Sequence, residues 1–180
     1  HFIENTLQFG LEALNFRPWG FRELRFNEEA LAEGNFVIAR ASGIFPDGLL
    51  FEIPDSDPAP PPKPFVSFFE PDQQTLDVYL TIPRMRERGL NVAVSHSSAD
   101  TRYLAEVASM RDENTGTTEK PIQIARKNFR ILTEGESREG STALRVARIR
   151  KSPAGMPQID STFVPPLIDV AASDHLMSIV

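Results

Sequence analysis

The chain has 180 residues and a formal net charge of −6. That length suits one well-cored domain, and the acidic balance argues against a protein that binds the phosphate backbone of nucleic acid. The chain has no cysteine, which excludes disulfides, thiolate metal sites and cysteine nucleophiles, and no apolar run approaches the roughly 20 residues of a membrane-spanning helix. We therefore expect a soluble chain with no nucleic-acid partner and no direct membrane insertion.

The first fourteen residues predict a short amphipathic helix. Their apolar side chains recur at spacings that place them on one stripe of a helix, namely Ile3, Leu7, Leu11 and Leu14. Pro18 interrupts this pattern. Residues 21–26 then predict a first short strand, in which Phe21 and Glu23 face one way, and residues 27–29 are expected to form a turn.

The chain is organised around a predicted β-hairpin. Residues 36–45 and 49–53 are rich in apolar side chains, and Pro46, Asp47 and Gly48 lie between the two runs. Proline fixes φ at the first turn position, aspartate can accept a hydrogen bond from nearby backbone, and glycine adopts a positive φ. These three residues therefore predict the structural turn that sets the register of two antiparallel strands.

Prolines dominate residues 55–64, which cannot form a helix or an interior strand because proline lacks an amide donor. We expect a surface connection between sheets; a ligand for an aromatic groove is the alternative. Residues 76–82 alternate regularly and predict a strand that turns four apolar side chains to one face: Leu76, Val78, Leu80 and Ile82.

The second half of the chain predicts further strands after a polar, exposed excursion at residues 84–100. The expected strands are 101–110, 142–151 and 159–164, and residues 121–124 and 129–132 are either two short strands or one bent strand, with a bulge or kink near residues 126–127. Ser173 is a candidate N-cap for a terminal helix. Because Val180 follows only about two turns later, we expect the natural polypeptide to continue.

Together these patterns predict a mainly β fold. Many short strands without intervening helical periods favour an antiparallel β-sandwich over a barrel, with a short helix at each end. We expect residues 1–172 to form one domain and residues 173–180 to begin a truncated helical segment.

No pattern predicts catalysis or a cofactor. The histidines, His1, His96 and His175, lack metal-ligand neighbours at a short fixed spacing. His96, its neighbouring serines and Asp100 are the residue types of a nucleophilic triad, but such triads are assembled from separate elements, so a solvated loop is the simpler interpretation. We expect no catalytic residue, no metal and no cofactor.

Several phrases, taken in order, resemble one protein family. They are Trp19-Gly20, Leu31-Ala32-Glu33-Gly34, Arg40 through Gly48, Phe51-Glu52-Ile53-Pro54, Asp77-Val78-Tyr79-Leu80, Leu144 through Arg148, and Phe163-Val164-Pro165-Pro166-Leu167. The ordered combination is more specific than any one phrase. It resembles the amino-terminal region of the TssK family, baseplate subunits of the bacterial type VI secretion system.

The resemblance implies a structural adaptor with no catalytic residue. Family members are longer trimers of the cytoplasmic baseplate, docked at the inner membrane of Gram-negative bacteria. Their amino-terminal sandwich resembles the shoulder domain of phage receptor-binding proteins and docks on the TssF and TssG wedge. Their carboxy-terminal head reaches the membrane-complex proteins TssL and TssM, so on this reading the chain is a fragment.

Thirteen phenylalanines are many for this length, and most should be core. A minority left outside would form a surface for a protein partner. The candidate partner-binding residues are Phe65 and Phe68 near the proline-rich loop, and Arg84, Arg86 and Arg88, which could pair with acidic partner loops. A core or solvated position is the alternative for each.

A carbohydrate-binding β-sandwich is the alternative function, suggested by fold class alone. It would require a concave face with aromatic side chains and paired polar groups, and a glycan array would test it.

Overall fold

The fold is described from a computed structural model of the chain, over residues 18–94, 100–111, 114, 116 and 119–179. Over these residues the protein is mainly β, with antiparallel pairing in nearly every ladder, and the predicted fold class is confirmed. Two short α-helices are present, α1 (Glu28–Ala32) and α2 (Asp174–Met177). Val66–Phe68 and Val170–Ala172 form single 3₁₀ turns.

Two sheets form the sandwich. The first has the order β1-β3-β4, and the second has the order β10-β6-β11-β12. Their strands are β1 (Gly20–Phe26), β3 (Ile38–Ile44), β4 (Leu50–Ile53), β6 (Thr75–Pro83), β10 (Arg130–Thr133), β11 (Ser141–Lys151) and β12 (Pro157–Ile159). A two-residue ladder joins β2 (Asn35–Phe36) to β5 (Lys63–Pro64).

One hydrophobic core joins the inner faces of both sheets. The predicted inward residues of β6 are all buried, since Leu76, Val78, Leu80 and Ile82 are at most 1% exposed. Phe45 and Phe51, from the hairpin, pack against Phe129, which precedes β10. Large aromatic side chains thus fill the space between the sheets, as a sandwich core requires.

The predicted hairpin is present. Strands β3 and β4 pair antiparallel, and the Gly48 amide donates to the Phe45 carbonyl at 2.8 Å. Gly48 has φ of +86°, and the Leu49 amide donates to Asp47 Oδ1 at 3.3 Å. One boundary differs from the prediction, because Phe36 belongs to β2 and pairs with Lys63 rather than continuing β3.

The predicted alternation of the first strand is wrong. A bulge between Phe21 and Glu23 shifts the register of β1 against β3, so Phe21 and Leu24 are both buried. The turn expected at residues 27–29 is the start of α1, whose Ala30 amide donates to the Asn27 side chain at 3.0 Å. Asparagine is a favoured N-cap, and this signal was available in the sequence.

Later elements agree with the sequence to within a few residues. The strand predicted at 142–151 is β11. The edge strand expected at 159–164 is wrong in its bounds, because β12 ends at Ile159 and residues 160–164 form no strand. Residues 121–124 and 129–132 belong to different sheets, with the break after Lys127. Ser173 caps α2, since the Leu176 amide donates to its Oγ at 3.4 Å.

Some expectations fall on other parts of the chain or stay predictions. The amino-terminal helix, His1 and His96 lie outside the described residues. The division into residues 1–172 and 173–180 stays a prediction.

Candidate functional site

The most exposed part of the fold is a projection that we call the arm, consisting of residues 84–94, 100–111 and 119–127. Its strands are β7 (Val92–Ala93), β8 (Tyr103–Arg111) and β9 (Glu119–Lys127), in the order β7-β8-β9. Seven of the sixteen exposed large hydrophobic side chains among the described residues belong to the arm: Met85, Leu90, Val92, Val94, Val107, Met110 and Ile122. Such a concentration is typical of a surface that binds a protein.

The base of the arm is fixed to the hairpin by a buried arginine. Arg102, whose side chain is 5% exposed, donates from Nη1 to Asp47 Oδ2 at 2.8 Å and to the Pro83 carbonyl at 3.0 Å. Its guanidinium therefore joins the predicted turn, the end of β6 and the start of the arm. The ion pair favours this packing of the arm against the hairpin, because separating Asp47 from Arg102 would leave the buried guanidinium charge without its partner.

A lysine makes the second connection. Lys127 Nζ, at the end of β9, donates to Asp57 Oδ2 and to the Leu50 carbonyl, both at 2.9 Å. Asp57 also accepts from the Glu52 amide at 2.9 Å, and its side chain is 8% exposed. Asp57 is therefore a buried ion-pair partner, although it lies in the proline-rich connection that was expected at the surface. We call these two ion pairs, Arg102–Asp47 and Lys127–Asp57, the clamp.

Beyond the clamp, β8 and β9 form a two-stranded ribbon. They pair over nine residues, from Tyr103–Lys127 to Arg111–Glu119. Tyr103 and Ala105 are buried at its base, whereas Val107 is 69% and Met110 51% exposed. The strand predicted at 101–110 is therefore present, and its side chains become exposed beyond Ala105.

The ribbon has one mainly apolar face. Directly paired residues share a face and alternate along each strand, so the pairs Ala108–Ile122 and Met110–Lys120 lie on the same side. That face carries five apolar side chains, namely Leu104, Ala108, Met110, Ile122 and Ile124. An ion pair between Arg126 and Glu106, at 3.0 Å, crosses the same face.

Both edges of the ribbon are largely open. β7 pairs with β8 only at Val92–Tyr103 and Ala93–Leu104, and β9 pairs only with β8 among the described residues. Unpaired strand edges carry free amide and carbonyl groups that can pair with another polypeptide. An open edge next to an apolar face suits a protein partner.

The predicted arginines lie in the arm, on the loop before β7. Arg84, Arg86 and Arg88 are all exposed. Arg86 makes two hydrogen bonds with the Asn91 side chain, at 2.8 and 2.9 Å, and pairs with Asp100 at 3.1 Å. Arg86 therefore holds the loop, whereas Arg84 and Arg88 make no ion pair with a residue that the structure describes.

The predicted phenylalanines lie elsewhere. Phe65 is 0% exposed, its amide donates to the Gly34 carbonyl, and its ring packs against Phe69. The expectation that Phe65 is an exposed partner-binding residue is therefore wrong, because its side chain is in the core. Phe68 is half-buried, with Lys63 Nζ 4.3 Å from its ring centroid, and its role in binding stays a prediction.

A second polar cluster lies on the outer face of the four-stranded sheet. Asp77 accepts from Arg145 Nη2 at 2.6 Å and from Arg148 Nε at 2.9 Å. A register shift in β11 after Arg145 lets both arginines face the same carboxylate, and both guanidinium groups lie over the ring of Phe163. Burial raises the pKa of Asp77, but the hydrogen bonds from Arg148 and Arg145 outweigh it and leave the pKa below its ordinary value.

The described residues contain no group of three or more histidine, aspartate or glutamate side chains placed to hold a metal ion. None of the helices among them combines the length and apolar character needed to cross a bilayer.

The sequence is similar to known proteins over nearly its whole length. The family model described as bacterial type VI secretion, VC_A0110, EvfL, ImpJ, VasE matches residues 1–180. The type VI secretion system baseplate component TssK1 of Pseudomonas aeruginosa PAO1 is 33% identical over 183 residues, which cover 98% of this chain and 40% of the relative. The chain therefore spans well under two thirds of this relative's length.

Solved structures share the fold. A crystal structure of TssK matches with a TM-score of 0.85 and 26% identity, over 98% of this chain and 40% of the solved one. A chain from a TssK-TssF-TssG baseplate subcomplex matches with a TM-score of 0.81 and 23% identity, over 99% and 57%. A chain from a type VI secretion system baseplate complex matches with a TM-score of 0.83 and 22% identity, over 96% of this chain and 55% of the solved one.

Proposed function

The chain belongs to the bacterial type VI secretion family that includes ImpJ and VasE, and we propose that it is a non-catalytic structural adaptor of the baseplate. The resemblance found in the sequence phrases is confirmed by this family match. The observation that carries the proposal is that the match extends over all 180 residues. The baseplate role of the 33% identical relative supports it.

We propose that this chain docks on TssF and TssG. A structurally similar chain belongs to a TssK-TssF-TssG subcomplex. Of the surfaces described, the arm fits such a role because it concentrates exposed apolar side chains next to open strand edges. Arg84 and Arg88, exposed on the arm's loop before β7, would add contacts to acidic side chains of the partner.

The wider role belongs to the whole protein. We propose that it acts as a homotrimer in the cytoplasm, in a baseplate docked at the inner membrane of a Gram-negative bacterium. Its contacts with TssL and TssM would be made by a carboxy-terminal head outside this chain. The relative's length supports a further region, since the chain covers 40% of it. The resemblance to phage shoulder domains and the carbohydrate-binding alternative stay predictions.

Binding to purified TssF and TssG, followed by size exclusion with light scattering, tests the docking proposal. The variant Met110→Lys/Ile122→Lys places two charges on the apolar face of the ribbon. Its matched control is Met156→Lys/Ile168→Lys, outside the arm, since Met110 and Met156 are 51% and 54% exposed, and Ile122 and Ile168 are 40% and 39% exposed.

We expect the unsubstituted chain and the control to migrate with TssF and TssG, and the arm variant to lose at least about tenfold in affinity with an unchanged melting temperature. Equal affinity of the two variants would remove the arm from the proposal. No binding by the unsubstituted chain at micromolar concentration would contradict the proposal that this chain is sufficient for docking.

A further inference from the structure

The two edges of the ribbon differ in what their backbones offer to another strand. In an antiparallel ladder, the amides of successive residues point alternately toward the paired strand and away from it. At the base of the ribbon, the Asn128 amide donates to the Arg102 carbonyl, and the Tyr103 amide donates to the Asn91 carbonyl, both at 2.9 Å. Residue 103 therefore points away from β9. Because the register runs unbroken over nine pairs, the same holds for residues 105, 107, 109 and 111.

The outer edge of β8 is open over most of its length. β7 pairs with β8 at two positions only, and beyond Ala105 no strand of the described chain covers the outward amides of Val107, Ser109 and Arg111. The carbonyl groups of the same three residues point the same way. Together they form a row of donors and acceptors to which another strand can add.

The outer edge of β9 is interrupted by a proline. Pro121 is paired with Ser109, so by the same alternation its nitrogen lies on the outer edge, and that nitrogen has no hydrogen to donate. Lys120 precedes it on the strand. Proline and lysine are residues that keep edge strands from pairing with other chains. The ribbon therefore offers one edge, that of β8.

The side chains beside this edge are apolar or basic. Val94, which follows β7, is 79% exposed, and Val107 is 69% exposed. Arg88, on the loop before β7, and Arg111, at the end of β8, are exposed and make no ion pair with a residue that the structure describes. Residues 84–127 carry eight arginines and lysines and six aspartates and glutamates, in a chain that has 19 and 25. A strand with acidic and apolar side chains would complement this basic region of an acidic protein.

We propose that β8 accepts an extended, acidic segment of a partner protein, which adds as a further strand along Val107, Ser109 and Arg111. The inference rests on the proposed docking function and makes it specific, by naming the edge and the chemistry of its occupant. A second copy of the chain fits this edge less well, because pairing two β8 edges would place two regions of net positive charge side by side.

Proline substitution tests the edge, because it removes an amide hydrogen from a chosen side of the ribbon. Val107→Pro removes an outward amide of β8, and Gln123→Pro removes an outward amide of β9 from the residue directly paired with Val107. Val107→Thr keeps both the amide and the branched side-chain shape. The affinity for purified TssF and TssG is measured for the chain of residues 1–180 and for each variant, and the melting temperature of each checks that it folds.

We expect Val107→Pro to lower the affinity at least about tenfold, because backbone hydrogen bonds to the added strand are lost, and the other two variants to stay within about twofold. If the unsubstituted chain binds and Val107→Pro binds as well as Gln123→Pro, the inference about the edge is overturned while the docking function stands. If the unsubstituted chain does not bind, the docking function is contradicted and this inference with it.

Hydrogen exchange of the unsubstituted chain gives a second test, which does not depend on a variant that folds. On addition of TssF and TssG, the amides of Val107, Ser109 and Arg111 should exchange at least about tenfold more slowly, whereas the outward amides of Gln123 and Ala125 should not change. Equal slowing on both edges would overturn the proposal, because it would indicate a partner that covers a face of the ribbon. Slowing that appears in the chain alone and grows with its concentration would also overturn it, and would assign the edge to a second copy.

Discussion

At the scale of single residues, Asp77 shows how the outer face of the sheet is organised. Two arginines from one strand donate to its carboxylate, whose side chain is 14% exposed. The arrangement depends on the register shift in β11 that turns both Arg145 and Arg148 toward Asp77. The ionised form of Asp77 is therefore favoured in the folded protein, and this makes stability depend on pH.

We predict that Asp77→Asn lowers the free energy of unfolding by about 2 kcal/mol at pH 7, because hydrogen bonds to a charged group are lost. The pKa of Asp77 is lowered on folding, so its contribution is present above the ordinary carboxyl pKa and disappears as the pH falls through the folded value. The difference in the free energy of unfolding between the unsubstituted protein and Asp77→Asn should therefore become smaller as the pH is lowered.

Urea unfolding at pH 7 and near pH 3 measures this difference, with Asp72→Asn as the control for an exposed carboxylate. A difference that stays constant across this range would contradict the assignment.

Which side chains form ion pairs or pack together was the feature least predictable from the sequence. Asp47 was identified as a turn residue from its neighbours, since Pro46 and Gly48 give a local signal. Its ion pair with Arg102 spans 55 residues of sequence, and that of Asp57 with Lys127 spans 70. No local pattern encodes such pairs, because they depend on where the arm packs. Phe65 was misplaced for the same reason, since its burial follows from neighbours such as Phe69 and Gly34.

At the scale of elements, the antiparallel pairing of β1 with β3 depends on a glycine. An added Cβ at Gly43 would lie 2.1 Å from the Gly20 carbonyl oxygen, so the two backbones approach more closely than any side chain allows. Gly48 is different, because its φ is +86° and a Cβ would meet nothing within 4 Å. The two glycines are therefore required for different reasons, one for close approach and the other for backbone conformation.

We predict that Gly43→Ala lowers the free energy of unfolding by about 3 kcal/mol or more, because backbone must move apart, whereas Gly48→Ala costs about 1 kcal/mol through its positive φ. Chemical denaturation of both variants gives the comparison. If both variants lose the same free energy of unfolding, or Gly48→Ala loses more, then β1 and β3 can move apart at Gly43 without destabilising the protein.

Most strands were predictable from the sequence, but the irregularities that interrupt the two-residue alternation of a strand were not. The alternation of Leu76, Val78, Leu80 and Ile82 was sufficient to place β6 and its buried face. The same reasoning failed at Phe21 and Leu24, because a bulge removes the two-residue period there.

At the scale of the whole molecule, the protein combines a packed sandwich with a projecting ribbon. β6 and β11 lie side by side in the centre of the four-stranded sheet and contribute many buried side chains. The ribbon beyond Ala105 is exposed on both faces. A long hairpin has little stability of its own, so these two parts should open with different free energies.

We predict that backbone amides of β6 and β11 exchange with deuterium only through global unfolding, whereas residues 106–111 and 119–124 exchange far faster through local opening. Hydrogen exchange with mass spectrometry measures both in one sample. Protection of the ribbon equal to that of β6 would mean that another surface covers the ribbon in solution.

The buried faces of the sandwich were predictable, whereas the exposure of the arm's strands was not, for a physical reason. Inward and outward residues of a packed sheet differ in polarity, so burial leaves a pattern in the sequence. The arm has no buried face beyond its base, and residues such as Val107 and Met110 give the same local signal whether covered or exposed. The exposed surface that we propose for docking was therefore visible only after the fold was known.

The clamp has a mechanical consequence. Both of its carboxylates, Asp47 and Asp57, flank the same strand β4, and their cationic partners Arg102 and Lys127 lie at the start of β8 and the end of β9. A load applied at the tip of the ribbon is consequently divided between two anchors on either side of one strand, and each resists rotation about the other. Tension reaching the arm would therefore act on the hairpin at both ends of β4, and the arm could turn away from the hairpin only after both ion pairs had broken.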